Sequence, residues 1–189
     1  MKRRLLALML LTTGGVAVAA PETYVIDDTH TLPTFEVSHL GFSTTRGSFT
    51  RTQGTIVLDR AAKTGRIEVT IDANSLHTAV PKLTEHLKNP DFFDVAKYPT
   101  ITFKSNQLEF DGDELEAVTG ELTMHGVTRP VTLEITHFVC KEHPMKKVPH
   151  CGADAEATIR RSDWGISAYS PAIGEEVKLK IQVEASKQP

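Results

Sequence analysis

The chain has 189 residues, a formal net charge of −3 at pH 7 and a pI of about 6.2. Hydrophobic residues make up 40% of it and charged residues 24%, a composition typical of a globular domain and not of a disordered chain. Nothing in this charge balance suggests a nucleic-acid partner, which would call for a clustered basic face.

The N-terminus has the pattern of a cleaved signal peptide. A basic start at residues 1–4 precedes an apolar run at residues 5–11, and the small residues 17–19 fit a small-x-small cleavage pattern. The continuous apolar run is shorter than the roughly 20 residues that a transmembrane helix needs. We expect a signal peptide over residues 1–19, one domain over residues 20–189, and a soluble periplasmic or secreted product that does not span a membrane.

Most of the remaining chain alternates between apolar and polar residues, the period of a strand with one dry and one wet face. Such stretches lie at residues 67–71, 101–103, 122–124, 131–135, 155–159 and 177–183. Short turns separate them, and the Asp111-Gly112 pair is a hairpin signal, so neighbouring strands should be antiparallel. The pattern predicts an all-β fold with about eight strands.

The alternation stops between residues 81 and 94. Pro81 suits the first position of a helix, and Leu83 and Leu87 lie four residues apart, on one helical face. Asn89-Pro90 then interrupts the helix. The segment predicts a short helical insertion of one or two helices, on a long connection that lies against the barrel.

The two cysteines, Cys140 and Cys151, predict one disulfide, because an exported protein with an even number of cysteines is expected to pair them. A zinc site that adds His143 and His150 to the two thiols is the alternative. The side chains of adjacent His150 and Cys151 point apart in most backbone geometries, which disfavours zinc.

One-sided strands must bury their dry faces, either against each other in a sandwich or inward in a barrel, and the pattern alone does not decide between them. Many of the inward candidates are slim, such as Val69 and Ala155, whereas the aromatic residues are grouped elsewhere. A barrel with slim walls would enclose a tube that suits a hydrocarbon guest. The alternative is that the side chains simply fill the core.

Four motifs in order resemble the YceI-like family of exported polyisoprenoid-binding proteins, from Tyr24 to about Ala185. They are Ile26-Asp27-Asp28-Thr29-His30 with Phe35, His39 and Gly47-Ser48-Phe49; residues 86–94 with 98–105; residues 120–128 with Pro130-Val131; and residues 161–165. Ala79, Thr84 and Glu85 depart from the family pattern, which bears on the cavity mouth and the lipid head group.

The resemblance implies an extended, eight-stranded antiparallel lipocalin-like β-barrel whose interior holds an isoprenoid chain, such as a polyprenyl lipid or a quinone tail. The apolar wall or mouth candidates are Phe35, Val37, Phe42, Phe49, Val69, Phe92, Phe93, Ile101, Phe103, Leu122, Met124, Leu133 and Trp164. His30 and His39 are candidates for contacts with a polar head group. The plainer interpretation is that each histidine ties a strand end or a loop by a hydrogen bond.

Catalytic and metal-binding signals are weak. The sequence has no Gly-x-Ser-x-Gly elbow, no paired carboxylates in an apolar setting and no tight helical histidine spacing for a metal. We therefore expect no enzyme, no metal and no obligatory cofactor, with a bound isoprenoid or quinone-like lipid as the ligand. One alternative is a structural or stress-response barrel that binds a protein partner on its outer surface without a lipid. Another is a hydrolytic or quinone-modifying enzyme, and a homodimer formed by edge pairing is compatible with each.

Overall fold

The computed structural model describes residues 20–188, which form an all-β fold. The predicted signal peptide lies outside the described residues, so its cleavage stays a prediction. Within residues 20–188 the strands are β1 (Glu22–Ile26), β2 (Thr34–His39), β3 (Ser43–Phe49), β4 (Thr52–Asp59), β5 (Thr64–Asp72), β6 (Leu76–His77), β7 (Thr100–Asp111), β8 (Glu114–Met124), β9 (Val127–Glu142), β10 (Pro149–Arg160) and β11 (Ile173–Lys187). One α-helix, α1 (Pro81–Leu87), and two 3-10 helices, η1 (Ala73–Ser75) and η2 (Arg161–Trp164), complete them.

Eight strand positions close into an antiparallel barrel. They follow the order β1, β4, β5, β7, β8, β9, β10, β11, and β1 closes the ring because it pairs with both β4 and β11. Tyr24 lies opposite Ile56 on one side and Lys187 on the other. The predicted eight-stranded barrel is confirmed, and the sandwich alternative is wrong.

Two positions of the ring consist of interrupted strands. β2 continues the direction of β1 along β11, so that Ile26 pairs with Ala185 and Val37 pairs with Val177. In the same way, β3 pairs with β2 and β4 pairs with β1. β3 and β4 therefore form a second interrupted strand beside the first. We call the end at which β11 begins the mouth end, and the end at which it finishes the far end.

The helical insertion is shorter than predicted. Pro81 occupies the first turn of α1, and Leu87 is buried at its last residue. After α1 the chain continues in hydrogen-bonded turns, in which the amide of Phe93 donates to the carbonyl of Leu87 at 3.0 Å. One short helix is therefore confirmed, at residues 81–87, whereas residues 88–94 of the predicted insertion form turns. Across the described part of the chain, no helix has the length and apolar character required to cross a membrane.

A disulfide joins Cys140 on β9 to Cys151, the residue directly opposite on β10. The bond uses both thiols, so the zinc alternative is wrong. His150 instead lies 2.9 Å from the carboxylate of Glu184 and 2.9 Å from the hydroxyl of Ser186.

Removing this disulfide should destabilise the fold moderately. The two cysteines are 11 residues apart in sequence. Loop-closure entropy for a loop of that length corresponds to about 3 kcal/mol. We expect the double variant Cys140→Ser/Cys151→Ser to melt about 5–10 °C below the oxidised protein. Thermal unfolding followed by circular dichroism measures this, and reduced wild-type protein should match the variant. Equal melting of variant and oxidised protein would contradict it.

Asp27 ties the segment after β1 to the turn between β9 and β10. Its carboxylate accepts a hydrogen bond from Lys146 Nζ at 2.7 Å and another from the Thr29 hydroxyl at 2.6 Å. The bond from Lys146 is the largest of the effects that lower the pKa of Asp27 below its ordinary value, followed by the bond from the Thr29 hydroxyl. The ionised carboxylate is thus favoured in the folded state.

The same contacts predict a pH-dependent contribution to stability. An aspartate in an unfolded chain has a pKa of about 3.9, so a lowered folded pKa stabilises the protein above about pH 4 and loses that effect as pH falls further. We expect Asp27→Asn to lower the free energy of unfolding at pH 7. The difference from wild type should narrow as pH falls below about 4 and vanish only well below about pH 3, where the folded carboxylate itself becomes protonated. Urea titrations across this range test it, with Asp28→Asn at the exposed neighbour as the control. A difference in free energy of unfolding between the variant and wild type that stays constant with pH would rule out this pH dependence.

Candidate functional site: an apolar cavity inside the barrel

The barrel encloses a cavity of about 540 Å³. Its lining runs from Tyr24 and Leu58 near the far end to Leu40 and Tyr169 at the mouth end. Leu40 is 51% exposed and Tyr169 is 54% exposed, so the cavity reaches the surface beside them. The volume falls within the range of about 300–1,000 Å³ usual for small-molecule sites. The side chains therefore leave the interior open. The alternative that they simply fill the core, which composition had left open, does not hold.

Most of the predicted site residues lie together on the cavity wall. Those that line it are Phe35, Val37, His39, Phe49, Val69, Phe92, Phe93, Ile101, Phe103, Leu122, Met124 and Leu133. Their placement follows from strand alternation, since each faces inward from its strand or lies in the segment beside α1. Contact of these residues with a lipid stays a prediction.

Three predicted residues lie elsewhere. Phe42 is 89% exposed and does not line the cavity, because it is out of phase with the inward residues Thr45 and Phe49 of β3. Trp164 is buried outside the cavity wall, where its indole N–H donates to the carbonyl of Leu122 at 3.2 Å. The side chain of His30 is 57% exposed, and its ring lies 3.4 Å from the carboxylate of Asp27. None of these three residues lines the cavity, and a contact of any of them with a ligand stays a prediction.

Three phenylalanines form an aromatic cluster inside the barrel. The ring centroids of Phe35, Phe49 and Phe93 are 5.4–6.1 Å apart. The ring of Phe35 lies over Gly47, its partner on β3, where a Cβ atom would collide with it. Gly47 thus lets a bulky ring lie flat against the wall, which keeps the space in front of it open.

A second aromatic cluster spans the mouth end. His86 on α1 contacts Phe92 at a centroid distance of 5.1 Å, and Phe92 stacks on Tyr169 at 5.8 Å. The hydroxyl of Tyr169 donates to Asp91 Oδ2 at 3.2 Å, and this bond raises the pKa of Tyr169 above its ordinary value. The cluster joins the segment after α1 to the loop before β11 through a neutral phenol.

Arg161 stabilises the conformation of that loop by hydrogen bonds to its backbone. Its side chain is buried, lines the cavity and donates to backbone carbonyls. The acceptors are the carbonyls of Gly174 at 2.8 Å, Ala168 at 2.9 Å, and Ile166 and Ile173 at 3.0 Å. One guanidinium thus fixes both ends of the loop that carries Tyr169. The Arg161–Gly165 motif therefore has a structural role. Its Trp164 attaches the same segment to β8.

The far end of the cavity carries a polar group. The Tyr24 hydroxyl donates to Glu22 Oε2 at 2.6 Å, and Lys187 Nζ donates to Glu22 Oε1 at 2.6 Å. Burial, together with the bond to Glu22, raises the pKa of Tyr24 to about 12. The phenol is therefore neutral at any physiological pH, and its ring completes the apolar lining.

Sequence reasoning did not place His86, Tyr169 or Arg161 in the site. His86 and Tyr169 lie outside the alternating stretches, so no periodic pattern gave their orientation. Arg161 follows β10 directly, in phase with the inward Ala155 and Ile159. A usable signal did exist for α1, because the Leu83 and Leu87 pair that predicts its apolar face also lines the cavity.

The hydroxyl of Thr52 is an unfavourable polar group in the cavity wall. Thr52 is 2% exposed, and among residues 20–188 its hydroxyl has no hydrogen-bond partner. A buried, unpaired polar group costs about 1–3 kcal/mol, so Thr52→Val should raise the free energy of unfolding by about 1 kcal/mol. Urea unfolding measures this, with Thr55→Val on the exposed face of β4 as the control. A less stable Thr52→Val protein would show that the hydroxyl is satisfied.

The comparisons with known proteins agree with this architecture. The sequence profile of the YceI-like domain matches residues 24–185. The chain is 36% identical over 184 residues to Protein YceI of Salmonella arizonae, an alignment that covers 97% of this chain and 95% of that protein.

Two solved structures share the fold. BcnA of Burkholderia cenocepacia superimposes with a TM-score of 0.72 at 22% identity, covering 84% of this chain and 98% of that one. A polyisoprenoid binding domain from Saccharophagus degradans superimposes with a TM-score of 0.66 at 16% identity, covering 87% of this chain and 98% of that one. At these identities the likeness concerns the fold alone.

Proposed function

We propose that this chain, which belongs to the YceI-like domain family, binds a long isoprenoid lipid of the polyprenyl or quinone type inside its barrel. In this proposal it acts as an exported carrier or storage protein, in the periplasm or outside the cell, and not as an enzyme. The observation that carries the proposal is the cavity of about 540 Å³, lined along its length by hydrocarbon side chains. The Saccharophagus degradans relative of the same fold is a polyisoprenoid binding domain, which supports the same ligand class.

The energetics favour a long apolar chain. Each methylene group that leaves water for an apolar wall contributes about 0.8 kcal/mol, so roughly ten carbons supply about 8 kcal/mol before costs. That sum corresponds to a dissociation constant of about 1 μM, and a longer chain offsets the entropy lost when it is ordered. Methyl branches of an isoprenoid add apolar area at each unit. A short or charged ligand would use little of this wall.

The polar groups of the lining suggest how such a lipid is oriented. His39, His86 and the phenol of Tyr169 lie at the mouth end, whereas the wall between Phe35 and Leu58 is apolar. A tail inside the barrel and a head group at the mouth would match this distribution. His39 therefore remains a candidate for contact with the head group, while His30 faces away from the cavity.

Lipid extraction tests the proposal directly. The full-length chain, exported to the periplasm of a Gram-negative host, is purified without detergent, extracted with organic solvent and analysed by mass spectrometry. We expect polyprenyl or quinone-type species in near-stoichiometric amounts. A mock purification from the same host controls for carry-over of free lipid.

Two outcomes would count against the proposal. Protein that carries no extractable lipid, and that binds no added long-chain isoprenoid alcohol, would refute it and favour the barrel that binds a protein partner on its outer surface. Chemical conversion of an added quinone or ester by the purified protein would favour the enzymatic alternative instead.

A further inference from the structure

The turn between β2 and β3 carries apolar side chains where the backbone favours other residues. Leu40 has φ +53° and Gly41 has φ +72°, and the amide of Phe42 donates to the carbonyl of His39 at 3.0 Å. A two-residue turn with both φ angles positive favours Asn, Asp or Gly at its first position. A leucine there costs free energy in the backbone, and its exposed side chain costs more, which points to a role outside folding.

This turn is continuous with the mouth of the cavity. The amide of Leu40 donates to the carbonyl of Ala172 at 2.8 Å, so the turn is attached to the loop that carries Tyr169. Leu40 lines the cavity and is also 51% exposed, while Phe42, two residues on, is 89% exposed. Leu40 therefore belongs both to the outer surface of the turn and to the lining of the cavity.

Two segments of the mouth end differ in charge from the turns of the far end, although Tyr169 on one of them contacts the carboxylate of Asp91. Neither residues 38–45 nor residues 166–174 contain an Asp, Glu, Lys or Arg, although such residues make up 24% of the chain. The turns of the far end are strongly charged: they are residues 59–63, 111–114 and 142–147. An uncharged surface with Leu, Phe and Tyr suits the interface of a lipid bilayer, where aromatic residues lie at head-group level. A protein partner that bound through charge would find no group to pair with on these two segments.

We propose that residues 38–45 and 166–174 form a membrane-docking surface, which inserts Leu40 and Phe42 into a bilayer and opens the cavity mouth toward the lipid. The proposal rests on the proposed function for its purpose, because an isoprenoid chain resides in bilayers and would then enter the barrel without crossing water. The docking itself needs no isoprenoid, so it can be tested separately.

Vesicle flotation tests the docking. The mature protein is mixed with vesicles of phosphatidylethanolamine and phosphatidylglycerol that contain no isoprenoid, and the fraction that floats with them is measured. We expect wild-type protein to float and the L40N/F42S variant to lose binding by about tenfold. Asparagine tolerates φ +53°, so the variant should melt at or above the wild-type temperature, which separates lost docking from lost folding. M145S removes an 84% exposed apolar side chain at the far end and should float like wild type.

Other results would overturn this assignment. Wild-type protein that stays in solution, or an L40N/F42S variant that floats equally, would show that the surface does not bind membranes. Dimers that L40N/F42S dissociates, without vesicle binding by wild type, would identify a second copy of the chain as the occupant. The F42S protein, whose altered residue does not line the cavity, should still contain lipid. If neither it nor wild type contains lipid, the proposed function has failed, whatever the flotation shows.

Discussion

Replacing Ala155 by phenylalanine is expected to weaken lipid binding strongly while the barrel stays folded. Ala155 is a buried residue of β10 that lines the cavity and lies opposite Ile181 on β11. A phenyl ring in that place would project into space that the proposed lipid occupies. Because the cavity is open in front of it, the ring need not displace the wall, so the usual cost of overpacking a filled core is avoided.

The size of the effect follows from the chain carbons that the ring displaces. Loss of about four buried methylene groups costs about 3 kcal/mol, so affinity for a long isoprenoid alcohol should fall by roughly two orders of magnitude. Titration of delipidated protein measures the affinity, and thermal unfolding should show a melting temperature equal to or above that of wild type. Thr158→Phe places the same ring on the exposed face of β10 and should bind like wild type. Unchanged affinity in Ala155→Phe would mean that the lipid does not occupy the barrel.

Strand alternation was enough to predict the sheet and most of its inward residues, because a side chain's face depends only on its position modulo two. It could not predict closure. That depends on β1 pairing with both β4 and β11, and the pairing of Ile26 with Ala185 spans most of the chain. The same local pattern would also suit a sandwich, so closure in the prediction came from the family resemblance.

The differences between the predicted residues and the cavity lining have local causes. Phe42 could have been excluded from its sequence position, since it is seven residues from the inward Phe49 and therefore on the opposite face of β3 if the strand is continued. His30 lies in the interruption between β1 and β2, where the chain is not a strand and the alternation of apolar and polar residues cannot indicate which way a side chain points. Tyr169 could not have been placed, because its loop has no repeat. Arg161 continues the inward phase of Ala155 and Ile159, but a buried arginine is rarely expected from sequence.

Arg161→Met is expected to be the most destabilising single change outside the hydrophobic core. Arg161 is 4% exposed, and its guanidinium donates four hydrogen bonds to the carbonyls of residues 166, 168, 173 and 174. Methionine fills a similar volume but donates none, and each buried acceptor left unpaired costs about 1–3 kcal/mol. Since part of the loop is exposed and water can reach some of its carbonyls, we expect a loss of about 3–5 kcal/mol, or about 6–20 °C in melting temperature.

The same change should also disturb the mouth, because the loop that Arg161 holds carries Tyr169 and Ala172. Hydrogen exchange should therefore accelerate at residues 166–174 in Arg161→Met before global unfolding, whereas strands β7 and β8 stay protected. Arg161→Lys should give an intermediate loss, because an ammonium cannot reach four carbonyls in the planar arrangement of a guanidinium. Arg160→Met, at the exposed neighbour, removes the same charge and should leave both stability and exchange unchanged. If it destabilised the protein as much as Arg161→Met, net charge and not the four carbonyl bonds would explain the effect.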